Sequence, residues 1–341
     1  MKNARSIRRI RALLIPATVL ILALSSCVST GATSAEEYFS LGMAYFELGQ
    51  AATDANTRSR YFSESEKWLN QARRVDKTKN ASEYNIGRIA FETGRYHDAL
   101  KYFEGILKKD PDNVLALKAA AYTRIKTGDI ELAEAHYSRL LKLVPESADD
   151  GYNYALVMYA MEKYEEAEEV LSRHQFALLD NNDVLLLYAR TQKAVEKVEA
   201  ADTYARWLVN NKDPAVRCEY AAFLEKYEFY AKALEEYRAA LEELDEKTVE
   251  PKKADVLFYI SRLLLIADRE SDEGMKELEN ARTAGFKNLE ELEKLAEDER
   301  VGAANLADLK KIIAELKKGT QPAPTAKPDA ASEPEPDKAG D

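Results

Sequence analysis

Cysteine is nearly missing from this 341-residue chain, which holds only Cys27 and Cys218. A disulfide framework and a cysteine-ligated metal site are therefore excluded, since each needs several thiols together. Histidine is as scarce, with His97, His136 and His174 alone, and no pair brackets an acid at the i, i+4 spacing of a zinc helix. The 13 glycines are scattered, so no glycine-rich loop cradles a phosphate. Neither a Gly-x-Ser-x-Gly turn nor a Ser-x-x-Lys beside a candidate site is found. Basic residues are short too, 49 against 60 acids, which removes the basic stripe that nucleic-acid phosphates demand. Paired acids such as Glu165-Glu166 and Glu168-Glu169 read as solvated helix faces among lysines. The expectation is a chain that is not an enzyme and uses no metal or cofactor.

Long apolar runs are also lacking, apart from the 13 residues 12–24, broken only by Pro16 and Thr18. A spanning helix needs about 20 apolar residues, so this run is short for an anchor. Lys2, Arg5, Arg8, Arg9 and Arg11 precede it without one acid, and residues 1–26 read as an export signal. Leu24-Ser25-Ser26-Cys27 follows and resembles the bacterial lipobox, in a relaxed form similar to that of spirochaete lipoproteins. The resemblance implies lipidation of Cys27, where two or three acyl chains hold a protein firmly at about 0.8 kcal/mol per buried methylene. The alternative is an ordinary cysteine behind a cleaved signal or an uncleaved anchor. Val28 stands after the cysteine in place of an inner-membrane-retention aspartate, which favours an outer-membrane address facing the periplasm. Removing the five signal bases leaves 44 basic against 60 acidic residues, a net charge of −16. Residues 27–34 are then a short tether. Residues 319–341 hold five prolines and no large apolar side chain, a composition that predicts a disordered tail.

What is present in abundance is periodicity. Ala99, Ala133, Ala167 and Ala201 stand 34 positions apart, and Gly87, Ala121, Ala155 and Ala189 keep the same step. A fixed period of this length marks helix–turn–helix repeats stacked on one another. Repeat two, residues 80–113, carries Ile86, Gly87, Ala90, Gly94, Tyr96, Ala99, Phe103, Ile106 and Pro111. Gly87 and Ala99 are small where two helices cross, with Phe91 and Phe103 filling the space beside them. Gly94 ends the first helix, where a left-handed residue is often needed, and Pro111 stops the second.

Repeat three spans 114–147 and repeat four 148–181, where His174 replaces a residue expected to be small. Repeat five starts near Asn182 with Tyr188, Ala189, Val198, Ala201, Ala205 and Leu208, and at Pro214 the step shortens to 32 for repeat six. Repeat one is split, since Tyr38-x-x-Leu41-Gly42-x-x-Tyr45 is separated from its second helix by an insert of 11 residues within 50–59. That insert either lengthens the helices or forms a loop. A degenerate seventh repeat covers 254–286, and two short amphipathic helices over 287–318 would cap the stack.

This pattern resembles the tetratricopeptide repeat family over residues 35–286. The resemblance implies an all-α, right-handed superhelical solenoid of about six to seven repeats with a C-terminal helical cap. It also implies a concave groove lined by fixed positions of each first helix. Those positions hold Phe39, Met43 and Phe46, then Tyr84, Arg88 and Phe91, then Lys118, Tyr122 and Lys126. Repeats four and five add Tyr152, Asn153, Tyr159, Arg190 and Lys193. Aromatic platforms flanked by bases suit an extended peptide bearing carboxylates. Acids are present as well, in Glu92, Asp149 and Asp183. The same positions are alternatively a plain exposed face, or are covered by the chain's own tail or insert. Tyr96, Tyr137, Tyr164, Tyr230 and Tyr237 are expected in the core. The function implied is a scaffold or adaptor binding an envelope protein during assembly of a cell-envelope complex. A small-ligand carrier or accessory subunit of a solute transporter is the alternative, and homo-oligomerisation stays open.

Overall fold

The computed structural model describes residues 34–76, 80–178, 181–245, 247–269 and 271–319. The expected signal, Cys27 and the proline-rich tail lie outside the described residues. The described elements are sixteen α-helices. The first ten are α1 (Ala35–Ala51), α2 (Ala55–Val75), α3 (Asn80–Glu92), α4 (Tyr96–Lys109), α5 (Val114–Thr127), α6 (Ile130–Leu143), α7 (Ala148–Ala160), α8 (Tyr164–Leu178), α9 (Asn182–Ala194) and α10 (Ala200–Asn210). The rest are α11 (Pro214–Lys226), α12 (Tyr230–Glu243), α13 (Lys253–Ala267), α14 (Asp272–Thr283), α15 (Leu289–Glu297) and α16 (Ala303–Gly319). No helix among the described residues is long and apolar enough to cross a membrane.

Two compact units divide after Ala200. In the N-terminal unit α1 pairs with α2, α3 with α4, α5 with α6 and α7 with α8, while α9 rests on α8. In the C-terminal unit the pairs are α11–α12, α13–α14 and α15–α16. Helix starts are set by short polar side chains that satisfy free backbone N–H groups. Asn113 accepts from Ala116, Asp213 from Ala215 and Asn288 from Glu291, and Ser34 with Glu37 forms a reciprocal capping box. The expected capping helices carry Leu292, Leu295, Leu309, Ile312 and Ile313 into one core with Phe258, Leu265 and Leu278 of the seventh repeat.

Helices approach closely where glycine leaves room. A Cβ on Gly87 would stand 2.6 Å from the Phe103 ring. Gly42 faces Leu69 and also accepts a 2.7 Å hydrogen bond at its carbonyl from the buried Ser65 hydroxyl. The same device recurs at Gly274, which faces Leu265 and accepts from Ser261 at 2.7 Å. There the glycine is on the second helix of the pair instead of the first.

His174 is buried but does not replace a small residue: its register partners are the buried Ile106 and Leu140. It fits because the residue opposite is Gly151, whose Cβ would lie 2.7 Å from the imidazole. In the preceding repeat the position equivalent to Gly151 is the buried Leu117.

The turn between the two helices of a repeat is left-handed five times over. Gly94, Gly128, Glu162, Glu196 and Glu228 have φ of 75°, 81°, 59°, 58° and 63°. In each, the next residue's N–H reaches back five positions, as Arg95 to Ala90 and Lys163 to Met158 at 2.8 and 2.9 Å. A side chain in this region costs about 1–2 kcal/mol, and glycine's extra chain entropy costs about 0.5–1. Glu162→Gly and Glu196→Gly are each expected to stabilise the chain by about 0.5–1 kcal/mol. Urea denaturation of the double variant checks this, and an unchanged or lower midpoint refutes it.

The small-residue ladder needs one correction. Ala99, Ala133 and Ala167 are wholly buried, but in repeat five Ala200 takes that place and Ala201 is only half-buried. Ala200 stands four positions after left-handed Glu196, against five from Glu162 to Ala167, so the connection is one residue shorter. Val198, read on sequence as one of the repeat-five positions, is accordingly 52% exposed. Tyr204 becomes the wholly buried equivalent of Phe103 and Tyr137. Of the tyrosines expected in the core, Tyr137 and Tyr237 are buried, while Tyr96, Tyr164 and Tyr230 open their helices half-buried. The insert of repeat one lengthens helices, leaving only residues 52–54 between the 17-residue α1 and the 21-residue α2.

Candidate partner-binding groove

The first helices α3, α5 and α7 present one face in the N-terminal unit. Tyr84 comes from α3, Lys118 and Tyr122 from α5, and Tyr152 and Asn153 from α7. Together with Ala119, Asp149 and Tyr137 of α6 they enclose a hollow of about 470 Å³. A second hollow of about 100 Å³ shares Ala119 and Tyr122 and adds Arg88, Phe91, Glu92, Phe103 and Thr123. Tyr122, 39% exposed, is the ridge between them. Phe91 steadies it with ring centroids 5.5 Å apart, and itself leans on Tyr96 at 5.3 Å.

Three of the expected bases have partners within the chain. The Lys118 ammonium lies 2.8 Å from Asp150 Oδ1, and the Ser147 hydroxyl donates to the other oxygen at 2.6 Å. Arg88 lies over the Phe46 ring at 4.4 Å and donates to Asn85 at 3.2 Å. Lys126 lies 5.4 Å from the centre of the Tyr122 ring. Each is a cation already engaged with an anion or an aromatic face.

The remaining expected residues are spread out. Phe39 lines a separate cleft of about 380 Å³ between α1 and the start of α3, and Met43 packs half-buried onto a core cluster. Phe46, expected in the groove, is buried in that same cluster beneath Arg88. Tyr159 sits at the end of α7 with its ring edge-on to Tyr164 at 5.2 Å, repeating the Phe91–Tyr96 contact two repeats on. Arg190, half-buried, and Lys193, exposed, lie on α9 outside the lining of these hollows.

Two residues of the site escaped sequence reasoning. Asp150 occupies a repeat position that is otherwise small or apolar and buried, as Ser82, Ala116, Val184 and Val216. A carboxylate at such a position requires a cation, and Lys118 supplies it. Tyr137 was read as core alone, yet it also floors the larger hollow. Burial pushes its hydroxyl pKa up, with Asp150 and then Tyr122 adding to the effect. Tyr152 is raised in the same direction by burial, with Asp183 adding. In the C-terminal unit, burial lifts the Cys218 thiol to about 12, which leaves it a packing residue at neutral pH. Among the described residues no group of three or more His, Cys, Asp or Glu side chains is placed to hold a metal.

The tetratricopeptide repeat family model matches residues 84–148 and 118–183, the stretch that builds both hollows. Protein CTR9 homolog of Arabidopsis thaliana is 28% identical over 105 residues, which is 31% of this chain and 10% of that protein. The chain thus spans only a small part of that curated relative. Among solved structures, YrrB, described as a tetratricopeptide repeat protein with an unusual peptide-binding site, is 18% identical. It has a TM-score of 0.46 over 54% of this chain and 92% of its own. A tetratricopeptide repeat protein from Parabacteroides merdae is 16% identical, with a TM-score of 0.46 over 80% of this chain and 98% of its own. Residues 84–183 thus match the tetratricopeptide repeat family model, and the same stretch is built of helix pairs joined by left-handed turns.

Proposed function

We propose that this chain is a non-catalytic adaptor, held to a bacterial envelope membrane by lipid at Cys27, whose groove binds an extended segment of a partner during assembly of an envelope complex. The observation that carries the reading is the pair of aromatic-lined hollows on either side of Tyr122. Successive side chains of an extended segment alternate in direction, and two neighbouring hollows suit such spacing. Photoreactive residues placed at positions 122 and 159 in the cell are expected to capture one discrete partner, identified by mass spectrometry. Self-crosslinks alone would overturn the adaptor role in favour of an oligomer. Cys27→Ala is expected to move the protein from the membrane to the soluble fraction, and unchanged membrane association would refute lipid anchoring at that residue.

The carrier alternative draws on one observation, that about 470 Å³ is within the size of small-molecule pockets. A ligand at a hundredfold excess over its dissociation constant stabilises the native state by about 2.7 kcal/mol. A thermal-shift screen with organic acids and metabolites that gave no shift would remove this reading.

A further inference from the structure

The larger hollow carries a charge and a surface chemistry that narrow what it accepts. Its walls are three phenol rings, Tyr84, Tyr122 and Tyr152, from three different helices. Its floor, Tyr137, is wholly buried, and among the described residues its hydroxyl has no hydrogen-bond partner. That hydroxyl is sealed from solvent, so what the hollow offers a guest is ring surface and the charge around it.

Charge decides the sign of the guest. Lys118 is the one base in the lining, and it is held against the buried Asp150 carboxylate. That pair is neutral as a whole. Asp149, also in the lining, makes no ion pair among the described residues. Asp183 lies near enough to disfavour ionisation of the Tyr152 phenol. Lys126, outside the lining, lies 5.4 Å from the centre of the Tyr122 ring, while the lining itself combines electron-rich ring faces with a carboxylate, Asp149, unmatched among the described residues, and Asp183 stands close by. Aromatic faces attract cations, and a concave site focuses the field of surplus charge.

We propose that this hollow receives one cationic side chain, lysine or arginine, of the bound segment. Its head group lies among Tyr84, Tyr122 and Tyr152 near Asp149. The proposal rests on the groove reading above and reverses the charge that the sequence suggested for the ligand. Carboxylate recognition fails here because its expected anchor, Lys118, is committed within the chain.

The test is selection of short capped peptides from a random library on the full chain, with a Tyr122→Ser chain as counter-selection. Tyr122→Phe keeps the ring and is expected to bind as the parent does, which separates loss of the platform from loss of folding. Peptides that depend on Tyr122 are expected to share a lysine or arginine at one position. Their affinity is expected to fall about tenfold when that residue becomes norleucine, or when the chain carries Asp149→Asn with Asp183→Asn. The norleucine peptides should be indifferent to the two Asp variants. Tyr122-dependent peptides with an acidic or apolar residue at that position would overturn the cation and leave the groove standing. Selection of no Tyr122-dependent peptide would overturn both.

Discussion

Gly151→Leu is expected to destabilise the chain by about 3 kcal/mol, and His174→Leu made in the same chain to recover most of that loss. The Cβ alone would lie 2.7 Å from the imidazole Cδ2 and 3.1 Å from Nε2, so a full leucine cannot enter without displacing His174. Overpacking of a closed core costs about 1–3 kcal/mol, and here the ring has little room, being 8% exposed between two helices. The double variant recreates the pair one repeat earlier, where Leu117 and Leu140 are both buried in one cluster. His174→Leu alone trades a polar ring for an apolar side chain but leaves the space beside Gly151 differently filled. Urea unfolding of the four chains measures the coupling, expected at about 1.5 kcal/mol or more. Simply additive costs would show that the two residues are not matched partners.

In the C-terminal unit, Arg217→Met is expected to cost about 3–5 kcal/mol. The guanidinium bridges α11 to α12, 2.7 Å from Glu236 and 2.9 Å from Glu243. All three side chains are mostly out of solvent, at 16%, 18% and 14% exposure. Removing the cation would strand two carboxylates against each other, whereas removing all three charges together spares that penalty. A chain with Arg217→Met, Glu236→Leu and Glu243→Leu is therefore expected to regain most of the stability. Hydrogen exchange should show the loss in the single variant concentrated on α11 and α12. If the triple variant were as unstable as the single one, packing of the arginine stem and not charge would be responsible.

Much of this was legible in the sequence because small residues at helix crossings leave a periodic trace that survives drift elsewhere. Gly87, Ala121, Ala155 and Ala189 are all buried as their spacing requires. The trace misled at Ala201, since a ladder of equal steps cannot reveal a one-residue shortening when alanine stands at both 200 and 201. Left-handed turns were readable only where glycine marks them, and the glutamates at 162, 196 and 228 give no such sign. The groove positions of α3, α5 and α7 could be counted from the repeat, but their electrostatics could not. Lys118 looks like a free base until Asp150, a residue of the next repeat, is placed 2.8 Å away. Phe46 shows the same limit in apolar form, because Arg88 covers it from a neighbouring helix.

The Lys118–Asp150 contact joins two successive repeats, whereas the Gly151–His174 fit lies inside one. A permuted chain with repeats three and four exchanged would keep the inner fit. Asp150 would then follow repeat two, whose residue in the place of Lys118 is Tyr84. A buried carboxylate facing a phenol would penalise that order, so the sequence of modules along this scaffold is itself specified, as if each were keyed to its neighbour.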